Sequence, residues 1–484
     1  MCGIAAVKLK DKGRAGEVDV LHLLMLALYQ MNHRGQDGTG YVWVVEDVLK
    51  VHKGPNYAKE EWSKLALSVD KEMLVTHQAL GHLRYRTEGS ADPVELQPAV
   101  AETVQGRVFA LADNGNLVNY QEERQRLELS PFRFRFFSSN EAELILRAIV
   151  HHHLQRRMQV NGAEVDFVES IKWAINYFRG AFSAILMTRN NIFAFTDRYN
   201  FRPLWLGEHN DFWVFASETC ALDILHIPAD KRTQLQAGQV VHINEQGELR
   251  IFQVENTEPH HCIFELIYFS RPDSILWGQL VGDYRRRLGS ILAGYDKDTG
   301  INADMVVPVP DSASDIACGY AKESGINLEL LALVRNHYVG RTFIKPDQTI
   351  RDDSVREKFN PRPGVFQGRS VVLVDDSIVR GTTIIKIIKM VLQAGARAVH
   401  LRIGSPPKIA PCFYGIATPT YEEHIVYKLG SVEAFEKYIR EQIKEYLAAG
   451  AEFTLRYLES DDLYRTVDQK RFCFACFDEK YPVE

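Results

Sequence analysis

The chain has 484 residues, of which 46% are hydrophobic and 25% charged, and its formal net charge is −6 at pH 7. This length predicts two or three domains, and the acidic balance argues against nucleic-acid binding that depends on overall basicity. Because the sequence contains no apolar run of about 18 residues and no signal-peptide pattern, we expect a cytoplasmic protein without a membrane or nucleic-acid partner.

The first 245 residues combine short strands with a few helices. Two stretches, Val18–Met31 and Glu141–Leu154, have the apolar pattern of helices that are buried on one side. Aromatic and β-branched runs bounded by turn residues predict strands at Arg107–Ala112, Phe182–Thr188, Ile192–Thr196, Phe212–Ala216 and Gln239–Ile243. We therefore expect residues 1–245 to form an α+β domain in which helices cover the sheets.

From about residue 270 the pattern changes to strand, loop and helix. Apolar strands are predicted at Asp304–Pro310, Ser370–Asp376 and Ala398–Gly404, and an amphipathic helix at Ile384–Ala396. This alternation predicts an α/β domain, residues 246–430, with a parallel sheet covered on both faces. Residues 431–484 are expected to form a helical tail that carries a Cys-x-x-Cys.

The stretch SVVLVDDSIVRGTT places two carboxylates and a polar loop between a buried strand and a helix. Ligands of open α/β sheets bind at the carboxyl ends of strands, and a helix N-terminus attracts phosphate. The adjacent carboxylates suit ribose hydroxyls or Mg²⁺, although a plain helix cap is the alternative interpretation. The candidate ligand-binding residues are Asp375, Asp376, Ser377, Arg380, Gly381, Thr382 and Thr383.

This stretch resembles the phosphoribosyl-pyrophosphate (PRPP) signature of type I phosphoribosyltransferases. With NHYVGRTFIKPDQ, VREKFNP and SPPKIAPCFYGI, it is similar to the glutamine PRPP amidotransferase family. The resemblance implies that Asp375 and Asp376, together with Ser312 of PVPDS, hold Mg²⁺. It also implies that a mobile loop, residues 335–360, closes over PRPP and brings Arg341 to the pyrophosphate group.

Motifs in the first half occur in the order found in class II glutamine amidotransferases. They are CGIAAV, NHRGQDGTG, GHLRYRTEG, DNGNL and FRGAFSAIL. Together, the two resemblances imply an α+β N-terminal-nucleophile hydrolase (an αββα sandwich) followed by an α/β type I phosphoribosyltransferase domain with a parallel sheet.

The resemblance also implies roles for individual residues. Once Met1 is removed, Cys2 would supply both the thiol nucleophile and the α-amine that serves as its general base. The residues that would form the oxyanion hole are Asn114 and Gly115, and those that would bind glutamine are Arg84, Thr87 and Glu141.

Several positions depart from the family's usual motifs, among them Arg86 and Glu88 in RYRTEG. Asp113 stands where His is usual, and Glu141 stands where Asp is usual. The stretch Asp197–Leu204 includes Arg198 and Tyr199 in place of Pro-Asn. These changes leave open a second hypothesis, in which the chain is a divergent paralogue that aminates another phosphosugar or uses free ammonia.

Four cysteines lie where one branch of the family carries the ligands of a [4Fe–4S] cluster. They are Cys262, Cys412, Cys473 and Cys476. A lone Cys-x-x-Cys is compatible with several kinds of site, so Cys₄ zinc and unliganded buried thiols remain alternatives.

The leading hypothesis is a glutamine-dependent amidophosphoribosyltransferase. Such an enzyme passes ammonia from glutamine to PRPP, giving 5-phosphoribosylamine, pyrophosphate and glutamate, in the first step of purine synthesis. The resemblance further implies a homo-oligomer, either a tetramer or a dimer, with purine nucleotides as inhibitors. A remote alternative is a non-catalytic PRPP-sensing regulator, for which this acidic chain shows no DNA-binding module.

Overall fold

The computed structural model describes residues 1–85, 92–103, 106–130, 134–159, 166–297, 300–336 and 358–483. The strands of the first half are β1 (Gly3–Leu9), β2 (Thr39–Val45), β3 (Val48–Gly54), β4 (Gln78–Leu83), β5 (Ala99–Thr103), β6 (Gly106–Leu117), β7 (Gly180–Met187), β8 (Ile192–Thr196), β9 (Trp205–Glu208), β10 (Phe212–Ala216), β11 (Arg232–Gln234), β12 (Gln239–Ile243) and β13 (Leu249–Gln253). Its helices are α1 (Val20–Gln30), α2 (Ala58–Ser68), α3 (Tyr120–Glu128), α4 (Glu141–Gln159), α5 (Phe167–Tyr177) and α6 (Cys220–Asp223).

The second half continues the same numbering. Its strands are β14 (His261–Cys262), β15 (Ile275–Leu276), β16 (Gln279–Leu280), β17 (Met305–Pro308), β18 (Leu333–Arg335), β19 (Phe359–Pro361), β20 (Ser370–Asp375), β21 (Ala398–Ile403), β22 (Glu452–Tyr457) and β23 (Phe472–Cys473). Its helices are α7 (Val281–Asp296), α8 (Ser314–Ser324), α9 (Thr382–Gln393), α10 (Ile425–Leu429), α11 (Val432–Gln442), α12 (Lys444–Ala448), α13 (Ser460–Arg465) and α14 (Ala475–Asp478).

Two antiparallel sheets pack face to face in the first half. Their strand orders are β11-β9-β10-β1-β4-β2-β3 and β13-β12-β8-β7-β6-β5. Apolar side chains fill the space between them, including Ile4 and Leu80 from one sheet and Ala112 and Ile185 from the other. Helix α1 covers the first sheet, and α4 and α5 cover the second. This arrangement confirms the predicted αββα sandwich.

A parallel sheet of order β17-β20-β21-β22 forms the centre of the second half. Its side chains alternate between two cores, as the pleat of a strand requires. Val372 and Val374 of β20 pack with α7 and α8, whereas Val371 and Leu373 pack with α9 and α11. Helices therefore cover both faces of the sheet, as the run of apolar strands predicted.

Two strands do not fit the domain boundaries and tail that the sequence predicted. Strand β13 pairs with β12, so the first half's second sheet continues past residue 245. Strand β22 pairs in parallel with β21, so the tail from 431 contributes a strand to the parallel sheet and is not wholly helical. The prediction of a helical tail was therefore wrong for Glu452–Tyr457, whose strand pattern was overlooked between two helical stretches.

No helix in the described part of the chain is long and apolar enough to cross a membrane.

Candidate active site

A cavity of about 410 Å³ lies where the two halves of the chain meet. The first half contributes predicted site residues to its wall, and residues of the loop Cys412–Ala417 of the second half also line it. The lining residues from the first half include Cys2, His82, Arg84, Tyr85, Gln97, Asp113, Gly115 and Glu141. The structure thus brings residues far apart in sequence to one enclosed space.

Cys2 is half-buried and immediately precedes β1. Its backbone N–H donates a hydrogen bond of 2.9 Å to Oδ1 of Asn114. Burial raises the pKa of the Cys2 thiol, and the charges of Asp113 and Glu141 raise it further, against a backbone hydrogen bond from Tyr85 that lowers it. A thiol held in its neutral form needs a nearby base before it can act as a nucleophile.

Asn114 and Gly115 lie on β6, and Asn114 contacts Cys2 just before the start of β1. The side-chain Nδ2 of Asn114 is buried and has no acceptor among the described residues. Gly115 is closely packed against β7, since a Cβ added there would lie 1.9 Å from the carbonyl oxygen of Ala181. Only glycine fits at this position, and the unpaired amide of Asn114 is available as a donor.

The predicted glutamine-binding residues lie around the same cavity where they are described. Arg84 directly follows β4 and is 8% exposed, with its backbone N–H bonded to the carbonyl oxygen of Gly38. Glu141 is the first residue of α4 and lines the cavity. Thr87 lies outside the described residues, and so does Arg341 of the predicted PRPP loop.

Asp113, which the sequence marked as a departure, is almost fully buried beside Asn114. Gln97 binds it twice: Nε2 donates to Oδ1 at 2.8 Å, and Oε1 accepts from the Asp113 backbone N–H at 2.7 Å. Burial raises the pKa of Asp113 to about 7, although the hydrogen bond from Gln97 opposes this. The cavity therefore contains a carboxyl group that titrates near neutral pH.

Sequence reasoning missed a buried network of charges behind Cys2. Arg34 donates from Nε to the carbonyl oxygen of Cys2 at 3.0 Å, and its guanidinium group binds both Glu218 and Glu265. Glu265 also pairs with Arg202 at 3.2 Å, and Arg202 donates to the carbonyl oxygen of Tyr414 at 3.0 Å. All four charged side chains are fully buried.

This network links the backbone of Cys2 to the second half of the chain. Arg34 belongs to the NHRGQDGTG motif, which was the one available signal. Glu265 lies in a short π-helical segment, Glu265–Phe269, and nothing in its local sequence indicates a buried ion pair.

The predicted phosphate loop follows β20 and leads into α9. Asp376 lies beside Ser312, whose hydroxyl bonds to it, and it accepts a second hydrogen bond of 2.6 Å from Ser377. Burial and mutual repulsion raise the pKa of Asp375, and burial raises that of Asp376. Gly381 caps α9 with a φ of 74°, a conformation that favours glycine.

Other members of the predicted set lie close by. Thr382 and Thr383 are the first two residues of α9, where backbone N–H groups lack helical partners. Arg380 is exposed and pairs with Glu423 at 2.6 Å. The loop thus combines two carboxylates that resist ionisation with the donor end of a helix.

The structure gathers the four predicted cysteine ligands in one region. β14 and β23 pair in parallel with Cys262 opposite Cys473, and the backbone N–H of Tyr414 donates to the Cys412 sulfur at 3.4 Å. Burial raises the pKa of the Cys473 thiol, and the neighbouring Cys262, Cys476 and Cys412 raise it further. None of the four forms a disulfide.

Four soft sulfur donors are chemically suited to zinc or an iron–sulfur cluster. In the described part of the chain, no three His, Cys, Asp or Glu side chains are disposed to hold a metal ion as they stand. A metal centre therefore requires the four thiol groups to draw closer together.

Comparison with known proteins agrees with this geometry. A family model described as a glutamine amidotransferase domain matches residues 84–223. Amidophosphoribosyltransferase 1, chloroplastic, of Arabidopsis thaliana is 38% identical over 100% of this chain and 79% of its own length. Amidophosphoribosyltransferase of Bacillus subtilis is 37% identical over 97% of this chain and 93% of its own length. The chain belongs to the amidophosphoribosyltransferase family.

A solved structure supports the same assignment at the level of the whole fold. It is the B. subtilis glutamine PRPP amidotransferase complexed with ADP and GMP, which is 34% identical with a TM-score of 0.82. The match covers 100% of this chain and 98% of that one. Family membership confirms the hypothesis of an enzyme over that of a non-catalytic regulator. The expected cytoplasmic location remains a prediction, because some relatives of the family are named chloroplastic.

Proposed function

We propose that this member of the family transfers the amide nitrogen of glutamine to PRPP by using Cys2 as a nucleophile. The observation that carries the proposal is the contact between Asn114 and Cys2, which lines the cavity. Oδ1 of Asn114 accepts a hydrogen bond from the Cys2 backbone N–H, and Nδ2 of the same side chain is buried without an acceptor among the described residues. When the nucleophile attacks an amide carbonyl, an oxyanion forms beside it, and a nearby hydrogen-bond donor stabilises that charge.

In the proposed glutaminase step, the free α-amine of Cys2 takes the proton of its own thiol. The sulfur then attacks the carboxamide carbon of glutamine, and Asn114 with Gly115 stabilises the oxyanion. Ammonia leaves, and water hydrolyses the thioester to glutamate. The step needs removal of Met1, whose own amine donates to the Gly415 carbonyl oxygen at 2.9 Å and has its pKa lowered to about 6 by burial.

In the proposed second step, ammonia displaces pyrophosphate from C1 of PRPP. Asp375 and Asp376 with Ser312 would bind Mg²⁺ and the ribose hydroxyls, and the first residues of α9 would bind the 5-phosphate. A bound Mg²⁺ would neutralise charge on the leaving pyrophosphate. The mutual repulsion that raises the pKa of Asp375 favours this role, since a divalent cation relieves it.

We also propose that the four clustered cysteines hold a metal–thiolate centre, either [4Fe–4S] or zinc. Their shared location and soft donor chemistry support this assignment. Purine nucleotides as inhibitors are proposed by analogy with the B. subtilis structure complexed with ADP and GMP. A homo-oligomeric state stays a prediction from the sequence resemblance.

The test of the function compares two nitrogen sources. Purified enzyme with PRPP and Mg²⁺ should release pyrophosphate with either glutamine or ammonium, whereas Cys2→Ser should retain only the ammonium-dependent rate. Intact-mass measurement before and after treatment with diazo-oxo-norleucine should show loss of Met1 and one adduct on Cys2. Equal glutamine-dependent rates for both proteins would contradict the role of Cys2, and no pyrophosphate release with either nitrogen source would contradict the transferase.

A further inference from the structure

Lys408 is a buried lysine for which the proposed catalytic steps have no use. It is 1% exposed and lies between β21 and Cys412. Its Nζ donates a hydrogen bond to the hydroxyl of Thr418 and lies 5.3 Å from the centre of the Phe264 ring. Both of these partners are electrically neutral.

No carboxylate among the described residues pairs with this ammonium group. The nearby His424 is fully buried and uncharged near neutral pH, because burial and the charge of Lys408 lower its pKa to about 4. A buried charge without a counter-ion is strongly destabilising, so buried lysines are normally paired. The surroundings of Lys408 therefore lack an anion.

The cysteine cluster is the adjacent source of negative charge. The residues that follow Lys408, Ile409 and Ala410, both donate backbone hydrogen bonds to the carbonyl oxygen of Cys476, at 3.0 and 3.2 Å. Phe264, under the ammonium group, lies two residues after Cys262.

Arg202 is a second buried cation near the cluster, but its charge is already matched. It pairs with Glu265 at 3.2 Å, in the network behind Cys2. Four thiolates around Zn²⁺, or around a [4Fe–4S]²⁺ core, carry a net charge of about −2. Such a centre would supply the anion that Lys408 lacks.

We propose that Lys408 is the counter-cation of a metal–thiolate centre held by Cys262, Cys412, Cys473 and Cys476. This inference rests on the proposed metal centre. Lys408 is a positioning residue that stabilises the loaded state, and without metal the same residue destabilises the fold. The proposal therefore predicts opposite effects of one substitution in the two states.

The test compares Lys408→Met, which keeps the length of the side chain but removes its charge, with Lys428→Met at an exposed site. Each full-length protein is prepared anaerobically, loaded with iron and sulfide or with zinc, and its metal content is measured. We expect Lys408→Met to lose metal to a chelator about 10–100-fold faster than the unchanged protein, the range seen for residues that support ligands. Lys428→Met should release metal at the unchanged rate.

The second measurement is the thermal unfolding of the metal-free proteins. Lys408→Met should unfold at a higher temperature than the unchanged chain, because it no longer buries an unpaired charge. If the centre is iron–sulfur, the substitution should also make its reduction potential more negative, since a positive charge favours the reduced form. Should Lys408→Met fail to fold, Thr418→Val should show faster metal release, because it removes the hydroxyl that holds the ammonium group.

Two results would overturn the inference while leaving the metal centre in place. One is unchanged metal release from Lys408→Met, and the other is a lower unfolding temperature of its metal-free form, which would assign Lys408 a packing role. If none of the proteins binds metal after reconstitution, the metal centre itself fails, and the counter-cation role fails with it. Glutamine-dependent activity, measured separately, tests neither of these claims.

Discussion

The side-chain amide of Asn114 has two ends with different surroundings. Its oxygen accepts from the Cys2 backbone, whereas its nitrogen is buried without a partner among the described residues. An unsatisfied buried donor is unfavourable in the resting protein, and it becomes favourable when an oxyanion forms beside it. The proposed glutaminase step therefore predicts that Asn114 stabilises the transition state more than the bound substrate.

We predict that Asn114→Ala lowers kcat for glutamine hydrolysis by about 10²–10³-fold, with a smaller change in KM, because it removes one oxyanion donor. Steady-state glutaminase kinetics measure this directly. Ammonium-dependent pyrophosphate release is the internal control and should remain within about twofold of the unchanged rate. A change in KM alone would instead assign Asn114 to substrate binding.

Asp113 should make stability depend on pH. Burial raises its pKa from 3.8 to about 7, so between these values the folded protein holds a proton that the unfolded chain has released. Stability therefore falls as pH rises across this window. We predict that Asp113→Asn, which can still accept from Gln97, loses this contribution, so its unfolding temperature falls less than that of the unchanged protein from pH 4 to 7.

Thermal unfolding measured across this pH range provides the check. Asp230→Asn, at an exposed site, is the matched control and should follow the unchanged protein at every pH. Parallel curves for Asp113→Asn and the unchanged protein would mean that Asp113 does not titrate in this window.

At the scale of elements, the junction of β20 and α9 depends on one glycine. Gly381 has a φ of 74°, and a Cβ added there would lie 3.0 Å from the ring of Phe435 on α11. Gly430, at the end of α10, also has a positive φ of 88°, but nothing lies within 4 Å of its added Cβ. Both positions have a positive φ, which glycine adopts without strain, and they differ in what surrounds them.

We predict that Gly381→Ala and Gly430→Ala each reduce the free energy of unfolding by about 1–2 kcal/mol, because alanine is strained at positive φ. Only Gly381→Ala should also weaken PRPP binding, by about tenfold for every 1.4 kcal/mol lost from the site. Calorimetric titration with PRPP measures the difference. Equal PRPP affinity in the two variants would show that the start of α9 does not bind the substrate.

The strands that the sequence predicted well are rich in aromatic and β-branched residues. Ile192–Thr196, Phe212–Ala216 and Gln239–Ile243 have the predicted bounds in the structure. Strand β22 was overlooked because it follows two helices, although its sequence, EFTLRY, alternates between polar and apolar residues as a strand does. What local sequence does not encode is its partner, since the parallel pairing with β21 is a tertiary contact.

At the scale of the whole molecule, motif resemblance predicted the candidate site residues. It did not predict the loop and the buried charged residues that surround them. Cys2, Gly115 and Glu141 line one cavity. Asn114 lies behind this wall and bonds to the backbone of Cys2. The motifs predicted this grouping. Residues of the loop Cys412–Ala417 line this cavity, whereas the sequence predicted only that Cys412 of this loop is a metal ligand. Glu265 was missed because charged residues are normally exposed, and complete burial depends on partners more than 60 residues away in the sequence.

Glu265 joins the two halves of the chain through Arg34 and Arg202, and all three side chains are fully buried. Removing one partner from such a network leaves a buried charge uncompensated. We predict that Glu265→Gln lowers the free energy of unfolding by about 3–5 kcal/mol. The control is Glu128→Gln, which breaks a surface pair with Arg124 and should lower it by less than about 1 kcal/mol.

The same substitution should separate the two activities, because Arg34 holds the Cys2 carbonyl oxygen at 3.0 Å and Glu265 holds Arg34. Glutamine-dependent pyrophosphate release by Glu265→Gln should fall by a larger factor than ammonium-dependent release, measured below the unfolding temperature of the variant. An equal fall in both rates would mean that Glu265 only stabilises the fold. A selective fall in the glutamine-dependent rate would mean that the second half of the chain helps to position the nucleophile of the first.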